Sequence, residues 1–377
     1  MIFGAGKIAR GFIGQLLFDA GVGFTFVERD AALVKLLNER GSYQVNVFGV
    51  PEKSERVSSY TAAWAGDADA VAEAMRGAEI AFTAVGGKNL GELAPIVARA
   101  LLTIAPRAIN VITCENWLRP AAQLEREIAR VAPEARAGFA EAVVMRSAIE
   151  PNAEQLALDP LAVNVQDYWR LPVDAGALIA PLLGVNGLVP MADFAGFLER
   201  KFYTYNAANG AVAYLGALLG HAHLADAAWD ARIAQTLERV YDETGRALSL
   251  KHRIPLADQL AFAATSREKL RNRVIVDIIE RNARDPMRKL GPDDRLVGSA
   301  RLAEGCGIHP EGLATAIAAA LHYQNSGDPS AVELQRIRAE RGSGGALELI
   351  SKIAPGEALY RLVLEKEAEL EAMGWMR

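Results

Sequence analysis

Cysteine is scarce. Two of the 377 residues, Cys114 and Cys306, are cysteines. This excludes a disulfide framework and a zinc ligand set built on thiolates, and it fits a reducing cytosol. Histidine is scarce too, at five. Only His221-x-His223 approaches a ligand spacing, and on a helix those two point to different faces, so no metal is expected. Neither sign of charge dominates: 41 Lys+Arg against 46 Asp+Glu leave a net charge of −5. No run of basic residues is present, so nucleic acid is not an expected partner. Long apolar runs are absent. The most apolar stretch, 175–192, is broken by Pro181, Pro190 and three glycines, so no membrane span is expected. No charged segment leads into an apolar one at the N-terminus, and a cytoplasmic protein is expected.

The remaining balance, 51% apolar and 23% charged, belongs to a globular chain of two or three domains. Its first half alternates strand and helix patterns. Short apolar runs at 1–3, 24–27, 80–85 and 109–113 read as buried parallel strands. Alternation at 43–48 and 161–168 reads as half-exposed strand, and 139–144 suggests another. Helical stretches such as 67–75 and 90–102 lie between them. From about residue 190 the chain reads as amphipathic helices broken by proline and glycine. The expected architecture is an N-terminal Rossmann-type doubly wound sheet, 1–190, followed by an all-α domain, 191–377.

The sharpest local signal is the opening turn. Gly4, Ala5, Gly6, Lys7, Ile8 and Ala9 follow a strand and enter a helix. This is the G-x-G-x-x-G/A pattern: Gly4 permits the tight turn, Gly6 admits a pyrophosphate, and Ala9 permits close packing. Glu28 ends the next strand, where a carboxylate binds ribose hydroxyls and repels a 2′-phosphate. NAD is therefore expected, with Arg29 beside it leaving room for NADP. Ala84, Val85 and Gly86 end a later strand and should run along the cofactor. Lys88 is a candidate for a substrate phosphate or a solvated loop lysine. Asn116 is a candidate for the nicotinamide ribose or the substrate, Glu115 for a buried pair with an arginine, and Trp117 for the core or, as the alternative, a wall of the cleft. His221 reads as a helix C-cap.

Several segments carry a resemblance. They are Phe3-Gly4-Ala5-Gly6 with Arg10-Gly11-Phe12-Ile13-Gly14, then Ser42-Tyr43-Gln44-Val45, then Cys114-Glu115-Asn116 with Arg119. Glu199-Arg200-Lys201 leads to Thr204 and Asn206, and Arg288-Lys289-Leu290 leads to Asp294-Arg295-Leu296. In these the chain resembles the long-chain polyol dehydrogenases nearly end to end, in the branch acting on mannitol 1-phosphate. The resemblance implies a metal-free, NAD-dependent interconversion of a polyol or polyol phosphate and its ketose, with mannitol 1-phosphate and fructose 6-phosphate as the implied pair. The partner is then a small sugar or sugar phosphate, and the enzyme a monomer or homodimer.

The family's Lys-x4-Asn-x2-His pattern places the general base at Lys201 and the alkoxide-holding amide at Asn206. A lysine with its ordinary pKa of about 10.4 is a poor base at neutral pH, so burial and cations such as Arg200 must lower it. Three departures fall on substrate-facing positions. Asn209 stands where the family has histidine. Glu141 replaces Asn or Asp and, one methylene longer than Asp, either occupies the pocket or carries a raised pKa, while Met145 replaces an aspartate. Lys269-Leu270-Arg271-Asn272-Arg273 lacks the family's proline. Of the basic set in this half, Arg273 and Arg288 are the expected substrate ligands. Two alternatives stay open: the same chemistry on another sugar acid, polyol or conjugate, and an NAD-binding protein with little catalysis.

Overall fold

The computed structural model describes residues 1–182 and 184–376. Leu183, within the apolar stretch 175–192, and Arg377 lie outside the described residues. The chain divides into two compact units, Met1–Phe194 and Ala195–Arg377.

Unit 1 is built on a six-stranded parallel sheet. Its spatial order is Tyr60–Trp64, Phe24–Glu28, Ile2–Phe3, Ile80–Thr83, Ile109–Thr113, Ala137–Glu141. This is the doubly wound order, whose ligand crevice opens at the carboxyl end of the first strand, where the winding reverses. The buried runs have the expected reason: Ile109–Thr113 and Ile80–Thr83 are covered on both faces, so every residue is buried. The edge strand Tyr60–Trp64 escaped the sequence reading because it is only half-covered and shows no clean apolar run. A second sheet joins Glu55–Val57, Tyr43–Val47, Val163–Val165 and Ala148–Ile149.

The helix after the glycine-rich turn begins as a π-helical stretch, Ala9–Gly14. It lies close against the second sheet. A Cβ on Gly11 would stand 2.6 Å from a Val165 methyl, so only glycine permits this approach. Arg146 pins the contact. Its buried guanidinium donates to the Gly11 carbonyl at 2.9 Å, to Gln15 Oε1 at 2.7 Å and to the Gln166 carbonyl at 2.8 Å. It lies 4.4 Å from the Trp169 ring centroid. The neighbouring Met145 is buried, and its sulfur accepts from the Tyr168 hydroxyl at 3.3 Å, so this position offers no charge.

Unit 2 is helical. Its centre is the alanine-rich pair Ala207–Leu218 and Glu311–Leu321, in which nearly every residue is buried. Small side chains let these backbones approach closely. Gly312 touches the long helix Ala231–His252, where a Cβ would meet the Val240 nitrogen at 2.9 Å. Pro310 gives the helix Glu311–Leu321 no side-chain cap. Glu243 supplies it from the neighbouring helix, accepting from Gly312 N at 2.6 Å and Leu313 N at 3.0 Å. No described helix is long and apolar enough to cross a membrane.

Candidate active site

The carboxyl edge of the unit 1 sheet gathers the expected nucleotide residues. Gly4 leaves the first strand at φ +94°, and a Cβ there would stand 2.5 Å from the Ala84 carbonyl oxygen. The turn is thus pressed against the strand end that carries Ala84, Val85 and Gly86. Over Gly6 nothing lies within 4 Å of a built Cβ. That open space beside free helix-entry N–H groups suits a pyrophosphate. Ala9 is fully buried, whereas Lys7 reaches Glu150 at 2.8 Å.

Glu28 does more than wait for a ribose. It accepts from Ala5 N at 2.7 Å, Arg29 N at 2.8 Å and Asp30 N at 3.1 Å. The carboxylate ties the second strand to the glycine-rich turn and keeps one lone-pair direction for a hydroxyl. Arg29 is solvent-facing and 3.6 Å from Glu92.

Glu115 is a second carboxylate used on backbone. It is buried and accepts from Thr83 Oγ1 at 3.0 Å, Val85 N at 2.9 Å and Gly86 N at 2.9 Å. These bonds shape the turn in which Gly86 has φ +85°. The arginine partner expected for Glu115 is replaced by N–H and O–H donors. Asn116 follows it, exposed at the same edge. Trp117 is 51% exposed and lies on Gly87, with its indole N–H on Gln123, so it is not a core residue. Glu141 ends the neighbouring strand in register with Thr113. Burial, with the charge of Asp174, raises its pKa, and the Ala121 N–H donates to it.

In unit 2 the Lys201 and Asn206 positions are joined by an element that the spacing alone does not announce. On an α-helix, residues five apart stand about 140° apart. The helix Phe194–Lys201 runs instead into a π-helical turn, Phe202–Asn206, closed by Ala207 N on the Phe202 carbonyl. A turn with i→i+5 bonds brings Lys201 and Asn206 to one face. Both side chains lack a hydrogen-bond partner among the described residues. Asn209 follows on the α-helix at i+3 from Asn206.

Lys201 is half-buried, and burial together with the charge of Arg295 lowers its pKa. The sequence reading expected Arg200 to do this. Arg200 is turned to Gln259 Oε1 at 2.6 Å and the Asp258 carbonyl at 2.8 Å. Arg295 instead crosses the helix face above Gly210, 3.3 Å from the Cβ that any larger residue would carry. Asp294 holds its guanidinium at 2.9 Å. Burial and the charge of Lys201 push Lys269 down to about 8. Burial, then Arg295 and Arg288, push Lys289 down to about 7. Lys289 is 5% exposed, and its ammonium donates to the Asn282 carbonyl.

The structure does not bring Arg273 into this group, and Arg288 reaches it only by way of Lys289. Arg273 is mostly exposed and pairs with Asp226 at 3.0 Å. Arg288 is held by Asp285 at 2.6 Å and Asp294 at 3.2 Å. Arg295 and Lys269 are the cations that bear on Lys201, and Lys289 adjoins Arg295. His221 closes the helix Ala207–Leu218 as expected, its N–H donating to the Gly216 carbonyl at 2.9 Å beside left-handed Gly220, and its ring also bonds Asp230 at 2.8 Å. Asn272 accepts from Val274 N at 3.0 Å and structures its own turn.

Comparison with known proteins accords with this layout. Residues 1–185 match the sequence pattern of the mannitol dehydrogenase Rossmann domain, and residues 193–352 that of the mannitol dehydrogenase C-terminal domain. A mannitol-1-phosphate 5-dehydrogenase of Bacillus licheniformis is 33% identical over 96% of this chain and 97% of its own. Two solved structures share the fold at 16% identity. A D-sorbitol dehydrogenase in substrate-free form aligns over 99% of this chain and 93% of its own, with a TM-score of 0.77. A Pseudomonas fluorescens mannitol 2-dehydrogenase, in a ternary complex with NAD and D-mannitol, covers 99% and 92% at 0.67. The chain belongs to the mannitol dehydrogenase family, the NAD-dependent polyol dehydrogenases.

Proposed function

We propose that the protein interconverts mannitol 1-phosphate and fructose 6-phosphate with NAD, Lys201 acting as the general base. The observation that carries this reading is the cationic cluster that includes Lys201: Arg295 and Lys269 bear on it, and Lys289 adjoins Arg295. They serve two ends. Positive neighbours and burial favour the neutral amine, which takes a proton. The same charges suit a phosphorylated substrate, whose dianion needs several donors. The 33% identical relative is named for this substrate.

Bound NAD supplies the hydride acceptor. The chain's own part is binding and proton handling. The open surface over Gly6 and the free helix-entry N–H groups hold the pyrophosphate, and Glu28 accepts from a ribose hydroxyl. Lys201 Nζ takes the hydroxyl proton of the reacting carbinol. The Asn206 amide donates to the same oxygen as negative charge builds there. In the reverse direction the Lys201 ammonium returns that proton.

A second reading keeps the chemistry and changes the sugar. It is favoured by Met145, Glu141 and Asn209, where three family positions carry different polar character. The test is oxidation of NADH with fructose 6-phosphate, beside fructose and a set of hexuronates, with NADPH as control. Turnover confined to fructose 6-phosphate and NADH supports the first reading. Tight NADH binding with turnover only on an unphosphorylated sugar derivative overturns it in favour of the second.

A further inference from the structure

Asn209 sits on the face that carries Lys201 and Asn206, and its amide is not free to choose its orientation. Its Nδ2 donates to Asn282 Oδ1 at 3.0 Å. Asn282 is in turn constrained. Its Nδ2 donates to Asp277 Oδ1 at 2.6 Å and to the Ile278 carbonyl at 2.9 Å. An ionised carboxylate and a backbone carbonyl accept and cannot donate. The amide nitrogen of Asn282 must therefore face them, and its oxygen must face Asn209. The same logic then fixes Asn209 with nitrogen inward and oxygen outward. The polarity of all three groups follows from the acceptor-only end, without appeal to how an amide is drawn.

The acceptor end is itself held. The Asp277 carbonyl accepts from Leu224 N at 2.8 Å, and Ile279 N donates to the Ala222 carbonyl at 2.9 Å. Asp277 also meets Arg281 at 3.5 Å. Asn282 has a further duty, since its carbonyl receives the Lys289 ammonium. One residue thus orients a side chain on the Lys201 face and anchors a cation of the same group.

We propose that Asn282, held by Asp277, is a positioning residue that makes Asn209 present a carbonyl oxygen, an obligate acceptor, to one substrate hydroxyl. The inference rests on the reading of Asn209 as a substrate-facing residue. Its consequence is selectivity for a hydroxyl donor at one carbon of the sugar. A site built to bond a hydroxyl rejects the analogue lacking it, because the buried acceptor is left unpaired. Asparagine also keeps that selectivity the same across the pH range in which a histidine would gain a proton.

The experiment compares kcat/KM for fructose 6-phosphate and its 1-deoxy, 3-deoxy and 4-deoxy analogues, with NADH titration showing each variant folded. The wild type is expected to disfavour one analogue by about tenfold or more. N282A is expected to reduce that discrimination to about twofold while NADH affinity holds within twofold, because a freed Asn209 amide turns either end outward. D277A is expected to reduce it at least threefold. N282D, which sets a second carboxylate against Asp277 and the Ile278 carbonyl with no donor between them, is expected to lose the discrimination as N282A does. Unchanged discrimination in N282A overturns the proposal; if N282A fails to bind NADH, unchanged discrimination in D277A does so. N209L separates the two layers. If N209L leaves the wild-type preference intact, Asn209 does not face substrate and the underlying reading fails. If N209L abolishes it and N282A does not, only the positioning role fails.

Discussion

At the scale of single residues, two glycines of one turn have opposite duties. Gly4 is demanded by the fold: it has φ +94° and no room for a Cβ beside the Ala84 carbonyl. Gly4→Ala is expected to lower unfolding stability by about 2 kcal/mol or more, read by urea denaturation. Gly6 faces open space. Gly6→Ala is expected to leave stability within about 0.5 kcal/mol while weakening NADH binding about tenfold, read by fluorescence titration. Equal effects on stability would contradict this division. Glu115 carries three donors that no other group serves. Glu115→Ala should cost about 3 kcal/mol and weaken NADH binding, because buried N–H groups lose their acceptor. The motif glycines and Glu28 were legible because their chemistry depends on order along the chain. That Glu115 bonds backbone, and that Arg295 rather than Arg200 acts on Lys201, was not legible. Both depend on which distant elements meet.

At the scale of elements, the buried parallel strands announced themselves as short apolar runs, and the helical half by its period. The π-helical turn Phe202–Asn206 did not. Its sequence, Phe-Tyr-Thr-Tyr-Asn, carries no proline or glycine to mark the extra residue, and Lys-x4-Asn suggests splayed side chains on a regular helix. The cap of the helix Glu311–Leu321 was equally hidden, because its acceptor, Glu243, lies far away in the chain. Glu243→Ala is expected to destabilise the protein by about 2 kcal/mol, read by urea denaturation followed by circular dichroism, with Glu243→Gln losing less because one acceptor remains. No difference between Ala and wild type would show that water serves those two N–H groups as well.

At the scale of the whole molecule, several lysines lie where burial and neighbouring cations disfavour their charge. Lys289 falls to about 7 and Lys269 to about 8, against an ordinary value of 10.5. Between these values and 10.5 the unfolded chain holds protons that the folded chain has released. Stability therefore rises with pH across that window and is lost again as pH falls through the folded values. Asp19 and Glu243, both raised to about 7, act in the opposite sense, but their loss is largely complete by then. Unfolding free energy is expected to gain about 1 kcal/mol from pH 7.5 to 8.5, and Lys289→Met to flatten the rise. A wild-type stability that falls across this interval would contradict the assignment of these buried lysines.

The central claim is that Lys201 is the base, and substitution at that position tests it most directly. Lys201→Ala should be assayed for mannitol 1-phosphate oxidation and fructose 6-phosphate reduction at pH ~7, with NADH affinity measured on the same preparation. The account predicts a fall in kcat of about 10²–10⁴-fold with NADH affinity unchanged, the loss typical of removing a positioned proton acceptor. Turnover equal to that of the wild type would contradict it and return the search for the base to the rest of the chain.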